Sequence, residues 1–181
     1  MTDSIAATPL NIAVLTVSDH RDQSNDSSGQ YLADALAKAG HRLAVRSICT
    51  ENLYQLRAQL SQWIADSNVQ VVLVNGGTGF NPKNCVPEAL CPLFDTEIEG
   101  FGELFRHLSY QEIGTSALQS RALAGLANQT LIFCIPGSTG ACKTAWEGII
   151  REQLDAAHGP CNFVPHISNQ NACERRPGDI A

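Results

Sequence analysis

The aliphatic run Val71-Val72-Leu73-Val74 passes through Asn75 into Gly76-Gly77-Thr78-Gly79, and Pro87 follows where a helix would open. A run that is apolar at successive positions reads as a strand covered on both faces, because a strand with one wet face alternates. Three glycines in four positions let the chain turn sharply and bring backbone N–H groups close to a ligand, with no Cβ in the way. In open α/β sheets a loop of this kind at the carboxyl end of a parallel strand is where anionic ligands bind. A tight connection would also demand glycines, so the loop alone leaves phosphate binding and a simple turn both open.

The flanking sequence repeats the alternation of strand and helix. Residues 10 to 17 (LNIAVLTV) read as a strand, the polar HRDQSNDSSG stretch follows, and GQYLADALAKAG reads as a helix closed by Gly40. HRLAVRSIC is a second strand, and Leu53, Leu56, Leu60, Trp63 and Ile64 fall at helical spacing between Glu51 and Asp66. The region from Val86 to Leu108 reads as helical with a break near Gly100-Phe101-Gly102. Leu118–Leu126 and Thr130–Ile135, joined at Asn128-Gln129, form either a hairpin or a helix over the alanines. A last helix is expected from about Ala141 to Gln153.

This pattern predicts one α/β domain, a three-layer α/β/α sandwich with a mostly parallel, mixed central sheet. The domain spans residues 10–165, with a flexible tail over 1–9 and a disordered tail over 166–181.

Charge and cysteine usage exclude several function classes. The net charge is −6 and the basic residues are scattered, which argues against nucleic acid. A small phosphorylated ligand is still possible, because backbone amides hold phosphate without side-chain cations. No apolar segment approaches a membrane span and the N-terminus does not resemble a signal peptide, so a cytoplasmic location is expected. The seven cysteines form no C-x-x-C pair and two of them, Cys49 and Cys134, lie in strand-like runs. They read as free thiols, and no structural metal is predicted.

Three loops follow predicted strands: Thr16-Val17-Ser18-Asp19, Gly76 to Gly79, and Pro136-Gly137-Ser138. In a parallel sheet they would converge on one crevice, with the hydroxyls of Thr16, Ser18, Thr78 and Ser138 beside backbone amides. Any one of these hydroxyls is more simply a cap or turn former. Residues 137–144, Gly-Ser-Thr-Gly-Ala-Cys-Lys-Thr, miss the phosphate-binding pattern G-x-x-x-x-G-K-[ST] by one residue. Cys142 replaces the glycine that the strained turn needs, which assigns Lys143 and Thr144 to the start of the last helix instead.

The ordered segments NGGTGFNPKNCVPEAL, GFGELFR, SYQEIGTSALQSRALAG and LIFCIPGSTGACKTAWE resemble the MoaB/MogA family of molybdenum cofactor biosynthesis. TVSD and DSSGQYLADAL fit the same pattern. The resemblance implies a trimer or hexamer that acts as a molybdopterin adenylyltransferase, moving AMP from Mg-ATP onto the terminal phosphate of molybdopterin. It implies that Gly76, Gly77, Thr78 and Gly79 hold phosphate. Thr16, Ser18 and Asp19 would line the nucleotide or pterin side, with Ser120, Pro136, Gly137 and Ser138 also contacting ligand.

Two positions depart from the family. Its members carry an aspartate where this chain has Asn84, and a second aspartate falls at Glu51. Glu51 and Asn84 are therefore the expected catalytic pair, with Glu51 as the candidate ligand for Mg²⁺ and Asp19 or another carboxylate as the alternatives. Loss of one anionic ligand opens an alternative function, a catalytically weak or inactive molybdopterin- or nucleotide-binding oligomer. Glu103 and Arg106 are placed to pair at i+3. Arg121 is left open between a phosphate contact and an inter-subunit ion pair.

Overall fold

The computed structural model describes residues 8–167. Six strands form one sheet in the order β2-β1-β3-β6-β5-β4. β1 (Asn11–Val17), β2 (Arg42–Cys49), β3 (Val71–Asn75) and β6 (Thr130–Ile135) run parallel, while β5 (Leu123–Ala127) is antiparallel to β6 and to the short β4 (Thr96–Glu97). Side chains of β1 and β3 alternate between two cores. Ile12, Val14, Val71 and Leu73 face one, with Leu32, Phe105 and Trp146; Ala13, Leu15, Val72 and Val74 face the other, with Leu56, Leu60 and Val86. Both faces are thus covered, which is why the central strands lack polar alternation.

Helix α1 (Ser27–Lys38) begins at Asp26, whose carboxylate accepts from the Gly29 N–H, and it buries Leu32 and Leu36. Helix α2 (Leu53–Ala65) is capped by Asn52, which accepts from the N–H groups of Tyr54 and Gln55. The 118–135 region resolves as the hairpin. Asn128 and Gln129 adopt φ of 47° and 64°, the left-handed pair that a two-residue turn between twisted strands requires. The closing helical run is α5 (Thr139–Ala145), a π turn over Trp146–Ile150, and α6 (Arg151–Gln153).

The break expected at Gly100–Gly102 lies elsewhere. Helix α3 (Val86–Leu90) passes into a 3₁₀ turn (Cys91–Leu93) and β4, after which α4 (Glu99–Ile113) runs unbroken through both glycines. The chain leaves the helix where Phe94 lays its ring on Gly125, within 2.5 Å of where a Cβ would stand. Gly102 is a site of close packing, since a Cβ there would lie 2.6 Å from the Ala122 carbonyl oxygen. The boundary expected at 166 also moves. His166 and Ile167 belong to helix α7 (Val164–Ile167), and Ile167 is buried against the α5 side of the core. Thr8 and Pro9 are exposed and outside any helix or strand, and the rest of both expected tails, residues 1–7 and 168–181, lies outside the described residues. No helix among the described residues is long and apolar enough to cross a membrane.

Candidate functional site

The register fixes where the loops meet. Val17 pairs with Cys49, Thr16 with Asn75, and Asn75 with Ile135, so the chain leaves all four parallel strands on one side of the sheet. Connections from β1 and β3 then diverge, the switch point at which open α/β sheets form a crevice. A cavity of about 530 Å³ opens there.

The glycine loop forms its floor. Gly76 (φ 103°) and Gly77 (φ 63°) both occupy the left-handed region, and a Cβ on Gly77 would stand 2.5 Å from Val86 Cγ2. The Gly76 N–H donates to Ile135 O at 2.9 Å, which stitches the loop to β6. The outward carbonyls are occupied: Gly77 O accepts from Val86 N at 3.2 Å, while Thr78 O and Gly79 O accept from Arg121. In a trans peptide the N–H points opposite to the C=O that precedes it, so the Thr78 and Gly79 N–H groups aim away from Val86 and Arg121. Among the described residues neither has a protein acceptor. Successive amides in a turn of this hand make a concavity for an anion.

Arg121 therefore belongs to the scaffold. Its Nη2 donates to Gly79 O and Asn84 O, both at 2.7 Å, and its Nη1 pairs with Glu88. The guanidinium also lies 5.5 Å from the centre of the Phe80 ring. Within the chain its contacts close the glycine loop onto the start of α3. Arg106 likewise turns from Glu103 to the carbonyls of Ala122 and Ser120, at 3.2 and 3.5 Å.

Of the expected ligand-contacting residues, Ser18, Thr78, Ser120, Pro136, Gly137 and Ser138 line the cavity beside the glycines. A Cβ on Gly137 would lie 3.0 Å from Gly76 Cα, so the two strand-end loops touch at this point. Ser138 also caps α5, accepting from Ala141 N at 3.1 Å. Cys142 is fully buried in that helix, and burial pushes its thiol up to about 12. A loop wrapped around a phosphate has no place for such a residue.

Thr16 is not on the cavity wall. It is 1% exposed, donates to Asp26 Oδ2 at 2.8 Å and accepts from Asn75 Nδ2 at 3.0 Å. Asp26 is itself 2% exposed and accepts from Arg46 at 2.9 Å. Ser28 Oγ bridges this network to Asn75 Oδ1 at 2.8 Å, and Asn75 reaches the cavity. Sequence reasoning misses Asn75, whose partners Ser28 and Thr16 lie in distant segments, and also Asp26 and Arg21, which pair with each other within the loop before α1. The "DSSG" helix start is the one local signal that could have flagged Asp26 as a cap.

Glu51 and Asn84 face each other at the opposite rim. Asn84 Nδ2 donates to Glu51 Oε2 at 2.7 Å, and both residues are half-buried cavity residues. Asp19 supports the pair from outside the cavity lining. Its Oδ1 accepts from Glu51 N at 2.9 Å, and Lys83 Nζ lies 3.7 Å from its Oδ2. Among the described residues no group of three or more His, Cys, Asp or Glu side chains is placed to hold a metal ion. Glu51 remains a single carboxylate facing the glycine loop across Asn84.

Comparison with known proteins agrees with this architecture. The family described as "Probable molybdopterin binding domain" matches residues 13–156. Molybdenum cofactor biosynthesis protein B of Escherichia coli K12 is 60% identical over 159 residues, 88% of this chain and 94% of its own length. The protein of the same name from Staphylococcus aureus strain COL is 44% identical over 146 residues, covering 79% of this chain and 86% of its own. The crystal structure of a molybdenum cofactor biosynthesis protein B superposes with a TM-score of 0.80 at 38% identity, covering 82% of this chain and 93% of that one. The tungsten cofactor synthesizing protein MoaB from Pyrococcus furiosus gives 0.71 at 33% identity, covering 80% and 92%.

Proposed function

The chain belongs to the molybdopterin-binding-domain family of molybdenum cofactor biosynthesis, and from that membership we propose that it binds molybdopterin with the terminal phosphate on the Thr78–Gly79 amides. The observation that carries this reading is that Thr78 and Gly79 line the cavity with N–H groups that have no protein acceptor among the described residues, while Val86 and Arg121 hold the preceding carbonyls. Neutral, rigid donors suit a dianionic phosphate in an acidic protein, because they supply charge complementarity without adding mobile cations. A volume of about 530 Å³ lies in the range of small-molecule sites and accommodates a ligand of pterin size.

A second reading, transfer of AMP from Mg-ATP to that phosphate, is favoured by the Glu51 carboxylate at the same rim. Mg²⁺ takes oxygen ligands and often binds through one or two carboxylates plus substrate phosphates. Glu51 fits the lower end of that requirement. Asn84 adds no charge and spends an N–H on Glu51, so the residues present offer a one-carboxylate site. Bound there, Mg²⁺ would neutralise charge on the phosphates. The chain's own contribution is to align the pterin phosphate on the loop. Binding is thus the principal function and adenylyl transfer a weak one, with trimeric or hexameric self-association part of the proposal.

The purified protein mixed with molybdopterin, ATP and Mg²⁺ tests both readings. Pterin that co-elutes with protein, with little pyrophosphate or adenylylated product, is the expected result. Failure to retain pterin overturns the binding assignment, while stoichiometric product makes transfer the principal activity. Asn84→Asp should raise the rate of product formation if the missing charge limits it.

A further inference from the structure

Among the described residues the cavity wall carries one cationic side chain, Arg21, in the loop between β1 and α1. Its Nη1 donates to the Ser28 hydroxyl and lies 3.5 Å from Asp26 Oδ1, with 30% of the side chain exposed. These anchors tie the guanidinium to the first turn of α1. That turn abuts the start of α5, where Ser27 Oγ and Thr139 Oγ1 are 3.1 Å apart. Glu51, the one anionic side chain on the wall, stands at the start of α2. Helices α1 and α2 cover opposite faces of the sheet, so the cavity is cationic toward one face and anionic toward the other.

The charge on Arg21 is not cancelled by its neighbour. Asp26 is one carboxylate between two guanidiniums, and Arg46 takes the closer contact at 2.9 Å with a further bond to Asp26 O at 3.0 Å. Arg21 stands off at 3.5 Å. Two positive charges against one negative leave the trio with a net positive charge beside the cavity. A guanidinium already held by Ser28 and Asp26 loses little freedom when an anion arrives, and its planar fork matches a phosphoryl group.

We propose that Arg21 is the receptor for a second oxyanion in this cavity, a phosphoryl or pyrophosphoryl group separate from the one on the glycine loop. Ser138 and Gly137 line the same cavity and complete its polar wall. The proposal stands on the layout of charge, not on the identity of the ligand at the loop. Pterin binding can therefore fail while this subsite stands, and the reverse also holds.

Calorimetric titration of the full chain with inorganic pyrophosphate, without pterin or Mg²⁺, tests it. Arg21→Gln should weaken binding about tenfold or more, and Arg21→Lys should fall between, since a point charge replaces a fork. Equal affinity in a folded Arg21→Gln variant overturns the proposal, as does absence of pyrophosphate binding by the natural protein. Phenylglyoxal labelling of the natural protein, read by peptide mass, gives an answer even if that variant does not fold. Pyrophosphate should protect Arg21 in proportion to occupancy, and labelling that proceeds unchanged overturns the assignment.

Discussion

Asp26 and Glu51 both lie where the parallel strands end, and each meets an amide or guanidinium donor, yet their surroundings differ. Asp26 is 2% exposed and accepts from Gly29 N, Thr16 Oγ1 and Arg46 Nη2 at 2.8 to 2.9 Å. Glu51 is half-buried on the cavity wall and accepts from Asn84. A buried carboxylate surrounded by donors of its own chain holds the loops in place. A carboxylate with lone pairs facing an open cavity is left for whatever enters.

The sharpest test of this contrast is to delete each carboxylate in turn. Asp26→Ala strips the half-buried Arg46 of its carboxylate partner and removes the α1 cap, so about 2–4 kcal/mol of stability should be lost. Glu51→Ala removes one half-exposed contact and should cost about 0.5–1 kcal/mol. Guanidinium unfolding measures both, and equal losses would erase the distinction. Gly76→Ala extends the test to the loop itself. Its φ of 103° is strained for alanine and the new Cβ would meet the Val17 carbonyl oxygen, so a loss of about 2–3 kcal/mol is expected from the same titration.

Acid titration separates the two groups by a different route. Burial pushes the Asp26 pKa up, but the Gly29 N–H, Arg46 and Thr16 outweigh it and hold the group below its ordinary 3.8. A carboxylate depressed on folding contributes stability that is present above pH 3.8 and lost as pH falls through the lower folded value. The natural protein should therefore lose stability steeply below that pH, and Asp26→Asn should flatten this limb. His41 supplies a separate limb. Burial depresses its pKa below 6.5, and its Nδ1 accepts from Leu10 N, so its contribution is full above pH 6.5 and declines as pH falls below it. Asp26→Asn should leave that upper limb in place; melting curves across pH 2 to 8 check both.

The contrast also explains which features were legible in the sequence. Strands β1, β3 and β6 could be read because burial on both faces writes a continuous apolar run, and α2 because Leu56, Leu60 and Trp63 keep helical spacing. The three strand-end loops follow from those strands and from parallel pairing. Gly102 misleads because glycine is a breaker by local propensity, whereas here it admits the Ala122 carbonyl. Phe94 carries no signal that its ring will settle on Gly125, thirty-odd residues away in sequence. Thr16 and Asp26 share that problem. A hydroxyl and a carboxylate ten residues apart look available for ligand until the sheet closes and turns them toward each other. Asn84, by contrast, was visible as a departure from the family pattern, but its donation to Glu51 depends on two loops meeting in space.

Asn84→Asp probes the half-buried side most directly and should have only a small effect on stability. The substitution replaces a 2.7 Å donor contact with two facing carboxylates. In a half-exposed setting the lost hydrogen bond and the repulsion should together cost about 1 kcal/mol. Millimolar Mg²⁺ should restore much of that loss in the variant, because a cation between two carboxylates binds the folded state selectively, and should barely shift the natural protein. Melting temperatures with and without Mg²⁺ decide the point. Equal responses in the two proteins would mean that Glu51 already holds the ion as well as a pair does, and the contrast between saturated and available carboxylates would then rest on burial alone, with the charge at position 84 irrelevant to the metal.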